Sequence, residues 1–112
     1  MTATCWLVSA GHVLASAERA DDHHSRARGL LGRPSFEGAL VLSKCRSVHT
    51  IGMKFVIDVA YLDTNGVVLK VARMQRHRIG MPVWSATTVV EAQAGAFERW
   101  GLKVGDIVEL RE

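Results

Sequence analysis

Residues 55–63, FVIDVAYLD, carry apolar side chains on both faces of an extended chain. Phe55, Ile57, Val59 and Tyr61 point one way; Val56, Ala60 and Leu62 point the other, because successive strand side chains alternate. A strand with no polar face has to be covered on both sides, so the run predicts a central strand clad by further structure. The exception inside it is Asp58. A carboxylate set among Val56, Ile57, Val59 and Ala60 is costly unless it is paired, accepts backbone N–H groups, or is protonated. Lys70, Arg28 and His49 are the candidate partners, and the simplest role for Asp58 is to tie the Arg28 segment or the His49 loop to the sheet.

The run ends in a turn signal. Asp63-Thr64-Asn65-Gly66 suits a type I turn closed by a glycine bulge, and residues 67–74, VVLKVARM, return as the next strand. Matching the apolar faces pairs Asp63 with Val67, Tyr61 with Leu69 and Val59 with Val71, which sets Lys70 one diagonal step from Asp58. Further strands are predicted at residues 4–9, at 12–18 after a tight turn at Ala10-Gly11, at 38–44, at 87–94, and within 102–110 after a turn at Val104-Gly105-Asp106. Two short helices complete the pattern. Ser25 can cap one, with Asp21 and Asp22 at its positive end, Leu30 and Leu31 inward, and Gly32 and Pro34 as stops; Phe97 and Trp100, three apart between Gly95 and Gly101, mark the other.

The chain has 112 residues, which suits one domain over 1–112. Helices do not alternate with strands, which argues against a parallel βαβ sheet. The expected fold is mostly β: an antiparallel β-sandwich or jelly-roll-like barrel of short strands with one or two short helices. Fourteen basic against eleven acidic side chains leave a net charge of +3 with no basic stripe, so nucleic acid is not the expected partner. The N-terminal segment has its first basic side chain at Arg19 and an apolar run broken by Gly11 and His12. It does not read as a secretory leader, no stretch is long enough for a membrane span, and a cytoplasmic location is the default expectation.

Three motifs, RARGLLGR (26–33), CRSVHTIGMKFVIDVAYLDTNGVVL (45–69) and EAQAGAFERWGLKVGDIVEL (91–110), together resemble domain of unknown function family 192, a family of uncharacterised ancient conserved region proteins. Arg26, Gly29 and Leu30 match its R-x-x-GL element; Asp58, Asp63 and Gly66 match its strand and turn; Glu91 and Gly95 match E-x-x-x-G; and Gly105-Asp106 match the terminal element. Val48-His49-Thr50-Ile51-Gly52-Met53 stands where many members carry a tryptophan-methionine-lysine-asparagine-threonine segment, and so resembles a second subfamily. Arg78 matches an arginine expected in the corresponding loop. The resemblance implies a jelly-roll-like β fold and no assigned reaction; members are often exported.

Cys45 and His49 are spaced C-x3-H, with Asp58 on the strand that follows. A zinc site needs three or four ligands at fixed distance, and the adjacent His23 and His24 point apart on a strand, so neither metal nor cofactor is expected. Cys45, His49 and Asp58 are also the residue types of a cysteine hydrolase, but Cys45 follows a strand rather than opening a helix that would lower its pKa. Cys5 and Cys45 form no framework, although a bridge between neighbouring strands is conceivable.

Residues 73–84 place Arg73, Arg76, His77 and Arg78 beside Met74, Met81 and Trp84. That composition suits an anionic ligand or a protein partner. The leading expectation is a non-enzymatic binding module for a small polar or anionic ligand, held by Arg28, His49, Thr50, Asp58 and Arg78 without catalytic residues. The alternatives are a hydrolase-like or metal-assisted enzyme using His49, Asp58 and Cys45, or a protein-interaction module of an envelope or secretion assembly that binds through the 73–84 loop.

Overall fold

The computed structural model describes residues 3–112, with side chains from Cys5 onward. Met1 and Thr2, where the segment read as lacking a leader begins, lie outside the described residues. The elements in chain order are β1 (Ala3–Ser9), β2 (His12–Ala20), α1 (His23–Arg28), β3 (Ala39–Ser43), β4 (Ile57–Leu62), β5 (Val68–Met74), β6 (Thr88–Gln93), α2 (Ala96–Trp100) and β7 (Val108–Arg111). The strands form one sheet in the order β5-β4-β6-β3-β2-β1-β7.

The architecture is mostly β with two short helices, as the patterning predicts. Its seven strands make one curled sheet whose two edges meet at one end, where Val67 bridges Ile107 and the Val68 amide donates to the Asp106 carbonyl at 2.8 Å. That closure depends on Gly66. Its φ is +81°, and a Cβ there would lie 2.3 Å from the Val108 carbonyl oxygen, so only glycine lets β7 approach the β4–β5 turn.

The expected antiparallel pairing holds for every neighbouring pair of strands except β2 and β3, which run parallel. Parallel neighbours need a long crossover rather than a tight turn, and residues 21–38, including α1, supply it. The chain thus holds one small β-α-β unit inside an otherwise antiparallel sheet. Nothing in a period-of-two pattern specifies which strands become neighbours.

β4 is buried along its whole length, as its double apolar character requires. Ile57, Val59 and Tyr61 pack on one face with Leu40, Leu42 and Val89, under a cover of Leu30, Phe36, Val48 and Met53. Ala60 and Leu62 pack on the other face with Leu7, Val41, Val90 and Val108, under Phe97 of α2. Full burial of a side chain the size of Leu40 or Ile57 contributes about 2 kcal/mol, so both faces add to stability.

The β4–β5 register differs from the predicted one. The Asp63 turn forms as expected, with the Gly66 amide donating to the Asp63 carbonyl at 3.0 Å. Leu62 then pairs with Val68, but a bulge shifts everything beyond it, so Tyr61 faces Lys70, Val59 faces Ala72 and Asp58 faces Arg73. One extra residue in a bulged strand is enough to move each later partner by one position. The Lys70 ammonium lies 5.9 Å from the centre of the Tyr61 ring and is not the partner of Asp58.

Helix α1 starts and stops earlier than predicted. Asp22, not Ser25, is its N-cap, accepting from the Ser25 amide at 2.8 Å, and Gly29 rather than Gly32 ends it at φ +51°. The Ser25 amide holds the Asp22 carboxyl well below the usual carboxylate range. Cys5 and Cys45 are free thiols packed with opposite faces of the sheet, which rules out the bridge between them in this fold.

Candidate functional site

The early end of α1 leaves a pocket of about 260 Å³ between the helix and the 45–53 segment. His23, Arg26 and Arg28 line it from α1, Cys45, Ser47 and His49 from the facing segment, and Leu30, Leu42, Val48 and Met53 make it partly apolar. Glu91 reaches it from β6. Along β6, Val89 and Glu91 point to the same face, and Glu91 pairs in register with Leu40 on one side and Val59 on the other. An acidic side chain therefore stands where the strand pattern calls for an apolar one.

Glu91 is only 3% exposed, and its carboxyl makes no hydrogen bond or ion pair with any described residue. Burial pushes its carboxyl up from 4.5 to about 7. Its Oε1 lies beside Gly29, where an added Cβ would stand 3.3 Å away, so the glycine that ends α1 also lets the backbone come up against the carboxyl. Cys45 is near enough for its charge to oppose that of Glu91; burial raises the thiol, and its Sγ donates to the Ser47 carbonyl at 3.2 Å. A thiol held up in this way is a poor nucleophile near neutrality.

The other buried carboxylate is fully occupied. Asp58, on the opposite face of the sheet, accepts from Arg73 Nε at 3.1 Å, from the Gly95 amide at 2.9 Å and from the Phe97 amide at 3.3 Å. It acts as a remote cap for α2, whose own Gly95 has no side chain to do so. The expected partners Lys70, Arg28 and His49 are replaced by Arg73, which the bulge brings opposite, and by the α2 amides. Asp58 does tie an outlying element to the sheet; that element is α2.

Thr50 is also structural. Fully buried, it donates through Oγ1 to the Gln75 carbonyl at 2.6 Å and accepts there from the Arg78 amide at 2.9 Å, fastening the 48–53 segment to the 75–80 loop. The Arg78 guanidinium folds back on the carbonyls of Arg76 and His77. Of the five residues singled out from sequence, the structure thus brings Arg28 and His49 to the pocket, while Thr50, Asp58 and Arg78 lie outside its lining. Glu91 was missed as a site residue. The logic that flagged Asp58, an acid on a buried strand face, flags Glu91 equally once β6 is read with the same alternation.

A second hollow, of about 360 Å³, opens at the mouth of the curl. Its polar groups answer one another: Arg19 pairs with Asp21 and with Glu112 at 3.3 Å each, Ser43 donates to Asp21 at 3.0 Å, and Asp63 accepts from the Asn65 and Val67 amides. Among the described residues no three His, Cys, Asp or Glu side chains are placed to hold a metal ion.

The model for the family described as Uncharacterized ACR matches residues 6–110. The chain belongs to domain of unknown function family 192. A UPF0127 protein from Thermococcus sibiricus is 30% identical over 96 residues; the match covers 80% of this chain and only 62% of that relative's length. A protein of unknown function from Novosphingobium aromaticivorans has a TM-score of 0.80 at 20% identity, covering 96% of this chain and 84% of its own. A Sinorhizobium meliloti protein proposed to be a transcription regulator has a TM-score of 0.81 at 19% identity, with 98% and 94% covered. At such identities the likeness of these two structures shows the fold alone. Members of the family are of uncharacterised function, so its membership supplies no reaction. Among the described residues no helix is long and apolar enough to cross a membrane.

Proposed function

We propose that this family-192 chain is a non-enzymatic binding domain for a small polar or anionic molecule seated in the α1 pocket. One observation carries the reading: the Glu91 carboxyl is buried at the pocket without a partner among the described residues. An unpaired carboxyl in an apolar wall destabilises the fold, and such a group persists where a ligand completes it. Arg28 and His49 add exposed cationic or hydrogen-bonding groups at the rim, which suit an anionic substituent. Chemistry by Cys45, His49 and Asp58 together is disfavoured: Asp58 is spent on α2 on the opposite face of the sheet, and Cys45 is a half-buried thiol raised by desolvation. The test is a thermal-shift panel of small acids, sugars and amino acids. Hits should raise the wild-type melting temperature and fade in Arg28→Ala and Glu91→Gln; a panel without any hit refutes the reading.

A second surface has an observation of its own. Ile79, Met81 and Trp84 are each about three-quarters exposed, and Arg76 and Arg78 flank them. This apolar and basic loop is suited to a protein partner. Pull-down by wild type but not by an Ile79→Ser/Trp84→Ser double variant would support it, and equal capture by both would remove it.

A further inference from the structure

Resting on the reading that the α1 pocket takes a small molecule, we propose that its ligand is amphoteric: a primary ammonium seated on Glu91, a short apolar body along the pocket wall, and a carboxylate at the rim against Arg28 and His49. The pocket has two chemically distinct zones. At Glu91 the neighbours across the sheet are Leu40 and Val59, and among the described residues no cation pairs with the carboxyl. Arg26, which lines the pocket from α1, instead donates to the Asp21 carbonyl. An anionic or purely apolar head would leave the carboxylate uncompensated, whereas an ammonium brings both the opposite charge and three donors for its two oxygens.

The rim has the reverse character. The Arg28 side chain is exposed and makes no hydrogen bond or ion pair with a described residue, and His49, also exposed, lines the same pocket. Leu30, Leu42, Val48 and Met53, all buried, supply apolar wall to the same pocket. A volume of about 260 Å³ is small for a ligand site, which limits the occupant to metabolite size. Gly29 supports the assignment, since any side chain there would crowd Glu91 Oε1.

The same arrangement makes amine binding depend on pH. The groups facing Glu91 are Arg26, Arg28 and His23 from α1, Cys45 and His49 from the 45–53 segment, and Tyr61 from β4. Burial places the Glu91 carboxyl near 7, so the anion that an ammonium needs is depleted as the medium turns acidic.

Calorimetric titration with ε-aminocaproate, caproate and hexylamine at about pH 8, where Glu91 is ionised and the amines are protonated, tests this directly. ε-Aminocaproate should bind tightest. Glu91→Gln should weaken it and hexylamine by about ten-fold or more, and Arg28→Ala should weaken ε-aminocaproate but not hexylamine. Wild-type protein offers a check free of folding artefacts: affinity for hexylamine should fall by about ten-fold between about pH 8 and about pH 6. Caproate equalling ε-aminocaproate, hexylamine binding that ignores both pH and Glu91→Gln, or loss of hexylamine binding in Arg28→Ala would overturn the amphoteric assignment and leave ligand binding standing. Silence from all three at about 10 mM has the same meaning if the thermal-shift panel gives other hits, and refutes both proposals if it gives none.

Discussion

Replacing Glu91 by glutamine keeps its shape and removes its charge, and the consequence should reverse sign with pH. An acid whose folded pKa is raised binds its proton more tightly in the native state. Its destabilising effect is therefore absent below the unfolded value, grows as pH climbs through the interval, and is complete above the folded value. Here the interval runs from 4.5 to about 7. At about 1.4 kcal/mol per pH unit, the native state loses about 3 kcal/mol across it. Glutamine avoids that loss but leaves an amide without partners in the same wall, a cost of about 1 kcal/mol at any pH. Glu91→Gln should then stabilise by about 2 kcal/mol near pH 8 and destabilise by about 1 kcal/mol near pH 4, below the unfolded value. For a chain of this size that corresponds to melting shifts of about +8 °C and about −4 °C. Thermal melts of both proteins in the two buffers, without ligand, measure the difference. A shift of one sign and size at both pH values would show that the Glu91 carboxyl is hydrated or already paired, and the argument from burial would collapse.

Other consequences concern the scaffold. Asp58→Ala strips the Gly95 and Phe97 amides of their acceptor and should cost about 3 kcal/mol in urea unfolding, whereas Arg73→Ala, at a half-exposed partner, should cost less than about 1 kcal/mol. Gly66→Ala drives a methyl into the Val108 carbonyl and should cost several kcal/mol or prevent folding, while Gly105→Ala, with positive φ but open space, should cost about 1 kcal/mol; melting curves of the pair separate steric from conformational strain. Thr50→Val removes the hydroxyl that joins two loops and should cost about 2 kcal/mol, with faster amide exchange at Arg78 as the local readout. Cys45, raised by burial, should react with iodoacetamide near pH 7 more slowly than a free thiol in a peptide.

Alternating side chains, turn residues and short-range spacing are local properties, and what they dictate is what the sequence by itself determined. The mostly β character, the buried β4, the Ala10-Gly11 and Asp63–Gly66 turns, and the short helix bracketed by Gly95 and Gly101 all follow from residues within a few positions of one another. The tension at Asp58 was visible on the same basis. Which group relieved it was not, because one bulged residue in β5 exchanges Lys70 for Arg73, and α2 lies far along the chain. The parallel β2–β3 pair, the pocket beside α1 and the solitary Glu91 are likewise products of tertiary structure. Each depends on segments distant in sequence becoming neighbours. Whether a charged side chain finds a partner is settled by that long-range packing, and the strand that carries it contains no record of the outcome.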